Sequence, residues 1–246
     1  MTLKKRLILD VQVHSTQAVE VLKFVGSALK SRHKFFIVTP NPEIIVEAQR
    51  NKLLLSALNS ADVAVADGVG LKLAGNLKII KGRQLMLDLF ELANKQKLKI
   101  FLLGSDKKTI DKSLYLLSKY YQDVIARGIP GPKLNKQAQT ISQDNKRLEQ
   151  EALKAINLFR PDFLFVAFGA PKQELWVKKH FSELKVGGTM VVGGALDYFA
   201  GTAKVPPQFL AQIGLEWFWR LILQPKRIKR IFRAVVVFPF LLLVKR

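Results

Sequence analysis

The chain contains no cysteine, which excludes a disulfide framework, thiolate zinc sites and cysteine nucleophiles and is compatible with a reducing compartment. Histidine is nearly as scarce. His14, His33 and His180 stand far apart with no metal-ligand spacing, so no zinc centre is expected. No Gly-x-Gly-x-x-Gly follows an apolar run and no Gly-x-x-x-x-Gly-Lys-Ser/Thr occurs, which argues against a bound dinucleotide and against a P-loop. A Gly-x-Ser-x-Gly elbow is also missing, as is an Asp-x-Asp pair that would hold a metal on a nucleoside diphosphate. At the N-terminus the short run after Arg6 meets Asp10 at once, so no cleaved export signal is expected.

Acidic residues are outnumbered, 19 against 40 basic ones, and the net charge is +21. Such a field attracts phosphates, nucleic acid or anionic lipid, and its placement chooses among them. After Glu216 no acidic residue remains, while Arg220, Lys226, Arg227, Lys229, Arg230, Arg233, Lys245 and Arg246 follow. Between Arg233 and Lys245 lie eleven apolar residues, too few for the roughly 20 that a membrane-crossing helix needs. A basic segment carrying aromatics and such a run suits an anchor dipping into one leaflet of an anionic surface. A helix packed between copies of the chain is the alternative. Nucleic acid is not expected as a partner, because residues 238–243 would then face water. The expected location is the cytoplasm, peripheral on the inner face of the membrane.

At 246 residues and 49% hydrophobic, the chain can build a substantial core. Short apolar runs predict strands over 7–13, 35–38, 63–66, 99–103, 123–126, 163–168 and 189–192. Helical periodicity fills 17–30, 43–56, 84–94, 107–121, 146–159 and 172–180. This alternation predicts an α/β fold with a mostly parallel Rossmann-like sheet and helices on both faces. Lys204-Val-Pro-Pro207 marks a boundary, giving an α/β domain over 1–205 and a basic appendage over 206–246.

Ligands in open α/β sheets bind beyond the carboxyl ends of the strands, and polar residues cluster there. Val63-Ala-Val-Ala-Asp67-Gly68-Val-Gly70 stops an apolar run on a carboxylate beside glycines that let a substrate approach; Asp67 could equally cap a helix. Thr39-Pro-Asn41-Pro offers neutral donors and acceptors for sugar hydroxyls, or a capping turn. Gly104-Ser-Asp106 opens a helix with an anion-ready terminus. Gly169-Ala-Pro-Lys172-Gln173-Glu174 is a phosphate or sugar site, or an ordinary cap with Glu174 in the first turn. Asp197, after Gly193-Gly194, touches ligand or fixes a loop. With no metal-binding pair, Arg83 or the tail arginines would stabilise a departing phosphate.

In order, Thr39-Pro-Asn41, Ala66-Asp67-Gly68-x-Gly70, Gly82-Arg83 with Asp88-Leu89, Gly169-Ala-Pro-Lys-Gln173-Glu174, Gly193-Gly194-Ala195-x-Asp197 and Gly214-Leu-Glu216-Trp217-x-x-Arg220 ending in Pro225-Lys-Arg227 resemble the WecG/TagA/CpsF glycosyltransferases of bacterial cell envelopes. The resemblance implies inverting, metal-independent transfer of a sugar, N-acetylmannosamine or a related hexose, from a nucleotide diphosphate such as UDP to a polyprenyl-diphosphate-linked acceptor, with no cofactor. It implies Asp67 as general base, Thr39 and Asn41 as crevice residues near it, Gln173 as a sugar-site residue, Arg83 as a basic position of the motif, and Arg220 and Arg227 brought to the diphosphate by the appendage. Gly68, Gly104, Lys172 and Asp197 join the expected substrate site on their strand-end placement. Three places depart from the family pattern: Val205-Pro206-Pro207 stands for Arg-Ala-Pro, Met86 for a glycine, and Gly131-Pro132-Lys133 for Gly-Tyr-Phe. The rival readings are a non-catalytic lipid- or nucleic-acid-binding protein and a nucleotide-sugar epimerase or oxidoreductase. The first would release no nucleotide, and the second needs the missing glycine fingerprint.

Overall fold

The computed structural model describes residues 3–205, 216–223, 225 and 228–245. Six parallel strands form the main sheet, in the order β4-β3-β8-β7-β5-β6. These are β3 (Phe35–Val38), β4 (Val63–Ala64), β5 (Lys99–Gly104), β6 (Ile125–Ile129), β7 (Phe163–Ala167) and β8 (Gly188–Val191). Every residue of β3, β7 and β8 is buried, as expected of strands covered on both faces.

Successive side chains of these strands go to opposite cores. Phe36, Val38, Leu164, Val166 and Val191 join one cluster, and Phe35, Ile37, Phe163, Phe165 and Met190 join the other. Helices α2 (Pro42–Ala48), α3 (Lys52–Asn59), α6 (Gln143–Phe159) and α7 (Lys172–His180) cover the first face, and α1 (Ala18–Lys30), α4 (Gly82–Lys95), α5 (Lys107–Tyr120) and α8 (Ala195–Phe199) cover the second. The chain therefore leaves neighbouring β5 and β7 toward opposite faces, which opens a crevice at their carboxyl ends.

The sheet bears out the α/β expectation, with local corrections. The strand expected over 7–13 is instead an antiparallel hairpin, β1 (Lys5–Ile8) and β2 (Val11–His14), outside the main sheet. Leu9 and Asp10 turn it with φ of 46° and 67°, the two left-handed positions a tight hairpin requires. The helix expected over 43–56 is broken into α2 and α3, because Asn51 caps a new helix by accepting from the Leu54 N–H at 3.0 Å.

The C-terminal segment docks on α2. Helices α9 (Glu216–Leu223) and α10 (Ile228–Phe232), a π-helical turn (Arg233–Val237) and α11 (Phe238–Val244) make up its described part. Arg230 pairs with Glu43 and Arg233 with Glu47, while Lys245 donates to Gln49 at 2.8 Å. Phe238 is fully buried in the first core, with Val237, Leu241 and Leu242 packed beside it. No helix among the described residues is long and apolar enough to cross a membrane.

Candidate active site

At the carboxyl end of β4, the Asp67 N–H donates to the Pro40 carbonyl at 3.0 Å, tying the ends of β3 and β4 together. Its Oδ1 accepts from the Gly82 N–H, the first of α4, at 3.3 Å. Lys81 at that helix start supplies no side-chain cap, so Asp67 fills the role from a distant strand end. Gly68, at φ 92°, turns the chain away into a 3₁₀ turn (Val69–Ala74), a conformation glycine adopts without a Cβ penalty. Thr39 closes the other side: a Cβ placed on Gly82 would lie within 3.1–3.2 Å of its side chain.

Asn41 caps α2, its Oδ1 accepting from the Ile44 N–H at 2.9 Å. The capping alternative therefore holds for its oxygen, and its amide N–H groups are the donors that this bond does not use. The guanidinium of Arg83 sits 5.5 Å from the Tyr198 ring centroid, a cation–π contact joining α4 to α8.

The loops after β5, β7 and β8 are bonded to one another. Gly104, at φ 103°, lies so close to β7 that a Cβ would come within 2.8 Å of the Ala167 carbonyl carbon. Beside it, Ser105 donates through Oγ to Asp197 Oδ1 at 2.6 Å. Asp197 thus fixes a loop, the second of its two expected roles. Gln173 bridges the other pair of strand ends, its Oε1 accepting from the Gly169 and Gly193 N–H groups, each at 3.0 Å. Lys172 is half-buried at the first position of α7. That helix is anchored by fully buried Trp176, whose Nε1 donates to Glu149 at 2.9 Å.

Sequence reasoning missed Glu174, which is no solvated first-turn acid. It is 1% exposed and accepts from Gln173 Nε2 at 3.0 Å. Burial pushes its carboxyl up to about 7, against the opposing pull of the Gln173 bond, a backbone hydrogen bond and the Arg230 charge. Because the folded value lies above the ordinary 4.5, the stability this group contributes is full below pH 4.5 and is lost as pH rises through 7. Glu174→Gln, which never ionises, is expected to be more stable than the native chain by about 3 kcal/mol at pH 8 and no more stable at pH 4.5. Urea unfolding at the two pH values checks this; an equal difference at both would show that ionisation is not the cause.

The structure thus brings Thr39, Asn41, Asp67, Gly68, Arg83, Gly104, Lys172, Gln173 and Asp197 to one end of the sheet. The Arg220 side chain and the whole of Arg227 lie outside the described residues. Among the described residues there is no group of three or more His, Cys, Asp or Glu that could hold a metal ion.

A parallel α/β sheet whose strand ends gather a carboxylate, amides and helix N-termini, with no dinucleotide or P-loop fingerprint, is a frame that accommodates a glycosyl transferase among other activities. Sequence comparison gives that class: the Glycosyl transferase WecG/TagA/CpsF family matches residues 6–246, and the chain belongs to that family. A relative from Staphylococcus aureus (strain NCTC 8325 / PS 47), named N-acetylglucosaminyldiphosphoundecaprenol N-acetyl-beta-D-mannosaminyltransferase, is 31% identical over 241 residues, covering 95% of this chain and 90% of the relative. The protein of the same name from strain MRSA252 has the same identity and coverage.

Proposed function

We propose that this chain moves N-acetylmannosamine, or a closely related hexose, from a nucleoside diphosphate such as UDP onto a polyprenyl-diphosphate-linked N-acetylglucosamine acceptor, with inversion and without a metal ion. The observation that carries the reading is the Asp67 carboxylate held on the Gly82 N–H at the start of α4, with the Thr39 side chain against the same glycine, in a strand-end crevice. The names of the relatives support the acceptor and sugar class.

In the proposed reaction Asp67 takes the proton of the acceptor hydroxyl as that oxygen attacks the anomeric carbon, and the nucleoside diphosphate leaves. The amide of Asn41 and the half-buried Lys172 offer donors to sugar and phosphate oxygens. Arg83, Arg220 and Arg227 stabilise the negative charge developing on the diphosphate, the work a metal ion does elsewhere. In this reading residues 1–205 form the catalytic body and 206–246 the appendage that meets the membrane. Phe232, Val235, Val236, Phe240, Leu243 and Val244 are exposed on that appendage, opposite the face that packs on α2.

Incubation with a panel of nucleotide sugars and a short-chain diphospholipid acceptor, read by mass spectrometry, tests the reading. One N-acetylhexosamine should be added to the acceptor, at a rate unchanged by chelator. A rate lost in chelator and restored by magnesium or manganese would refute metal independence, and release of nucleotide without acceptor modification would refute transfer.

A further inference from the structure

Glu174 holds a position that capping does not explain. Its Oε1 accepts from Gln173 Nε2 at 3.0 Å, while its Oε2 is buried with no hydrogen-bond partner. Leaving a carboxyl oxygen buried and unpaired is costly, so the carboxyl costs α7 stability unless it serves the side-chain bond it makes through its other oxygen. That bond reaches Gln173, itself 4% exposed. The Gln173 oxygen takes the Gly169 and Gly193 N–H groups, which belong to loops at φ 76° and 48°. The helices those loops open, α7 and α8, have no side-chain cap. A single amide, gripped at its oxygen by two backbone donors and at its nitrogen by Glu174, therefore sets the spacing of the β7 and β8 loops.

On the reading of this crevice as the sugar-transfer site, we propose that Glu174 is a positioning residue. It holds the Gln173 amide in the orientation that seats both loops, without touching substrate. The appendage bears on the same group from α10, since the Arg230 guanidinium favours the charged form of Glu174 and its partner Glu43 opposes it. Gln173 Nε2 has a second N–H beyond the one given to Glu174, and a fixed amide would present it in one direction.

The test uses the full chain carrying Glu174→Ala, Glu174→Gln, Gln173→Ala and the Glu174→Ala/Gln173→Ala pair. Glu174→Ala is expected to speed hydrogen exchange at the Gly169 and Gly193 amides by about tenfold, leaving the β3 amides unchanged. Glu174→Gln keeps an acceptor oxygen and is expected to restore most of that protection. In transfer assays Glu174→Ala should lower kcat by about tenfold or more with a smaller change in KM, and Glu174→Gln should recover most of the loss. On the Gln173→Ala background, Glu174→Ala should cost less than about threefold, because the two act as one unit. Unchanged exchange at both glycines, or losses that multiply in the double variant, would overturn the proposal. Should Glu174→Ala fail to fold, Glu174→Met, similar in volume and without an acceptor, carries the same comparisons. If the native chain transfers no sugar, the functional reading fails, and the exchange measurements still decide the role of Glu174.

Discussion

Asp67→Asn is expected to lower kcat by about 10²–10⁴-fold, the usual contribution of a general base, while donor binding and thermal stability stay close to native. The substitution keeps the oxygen that accepts from the Gly82 N–H at 3.3 Å, so the cap on α4 and the tie between β3 and β4 can persist. The amide cannot take a proton from the acceptor hydroxyl. This separates catalysis from structure, which matters because Asp67 also closes a helix start. Single-turnover measurements with saturating donor check it. A variant keeping more than about a tenth of native kcat would remove Asp67 from the base role. A variant that loses rate only because it unfolds would show the carboxylate to be a cap alone.

The second large effect is expected at the exposed face of the C-terminal segment. Phe240 is 61% and Leu243 72% exposed, on the side of α11 away from the core. Replacing both with serine is expected to reduce partition to anionic liposomes by more than about tenfold, since each apolar side chain contributes roughly 1.5–3 kcal/mol when buried. Activity on a soluble, short-chain acceptor should stay within about twofold of native. Salt should weaken binding of the native chain without abolishing it, because apolar insertion is not screened. Undiminished partition of the double variant would refute the anchoring role. Point substitutions are the better probe than deletion of 206–246, because Phe238 belongs to the core and Arg230 and Arg233 pair with α2. Those pairs also mean that not every basic residue of the tail is available to lipid.

The inner strands of the main sheet were legible because burial on both faces leaves nearly unbroken apolar runs, as in Phe35–Val38 and Phe163–Ala167, whereas the edge strand β6 has no fully buried residue and lies at Ile125–Ile129, two residues beyond the start expected over 123–126. The residues ending those runs were legible as site candidates for the same reason: a polar side chain directly after a buried strand lies at the carboxyl end of the sheet. The hairpin at Leu9 and Asp10 was not, since neither residue type announces two left-handed positions. Nor was the break between α2 and α3, where the cap at Asn51 overrides a continuous helical pattern. The docking of the tail depends on Glu43 and Glu47 meeting Arg230 and Arg233 across more than 180 residues, and local spacing carries no record of such a pairing. Glu174 was hidden differently. An acid in the first turn of a helix has an ordinary local explanation, and only the packing around α7 shows that it faces inward to Gln173.

The configuration of the transferred sugar at its anomeric carbon, read by NMR on the product made by the full chain, distinguishes a single displacement from a double one. A single displacement, with Asp67 as the base and no enzyme-bound sugar, predicts a product whose anomeric configuration is opposite to that of the donor. A product that retains the donor's configuration would require a second displacement and would contradict the account.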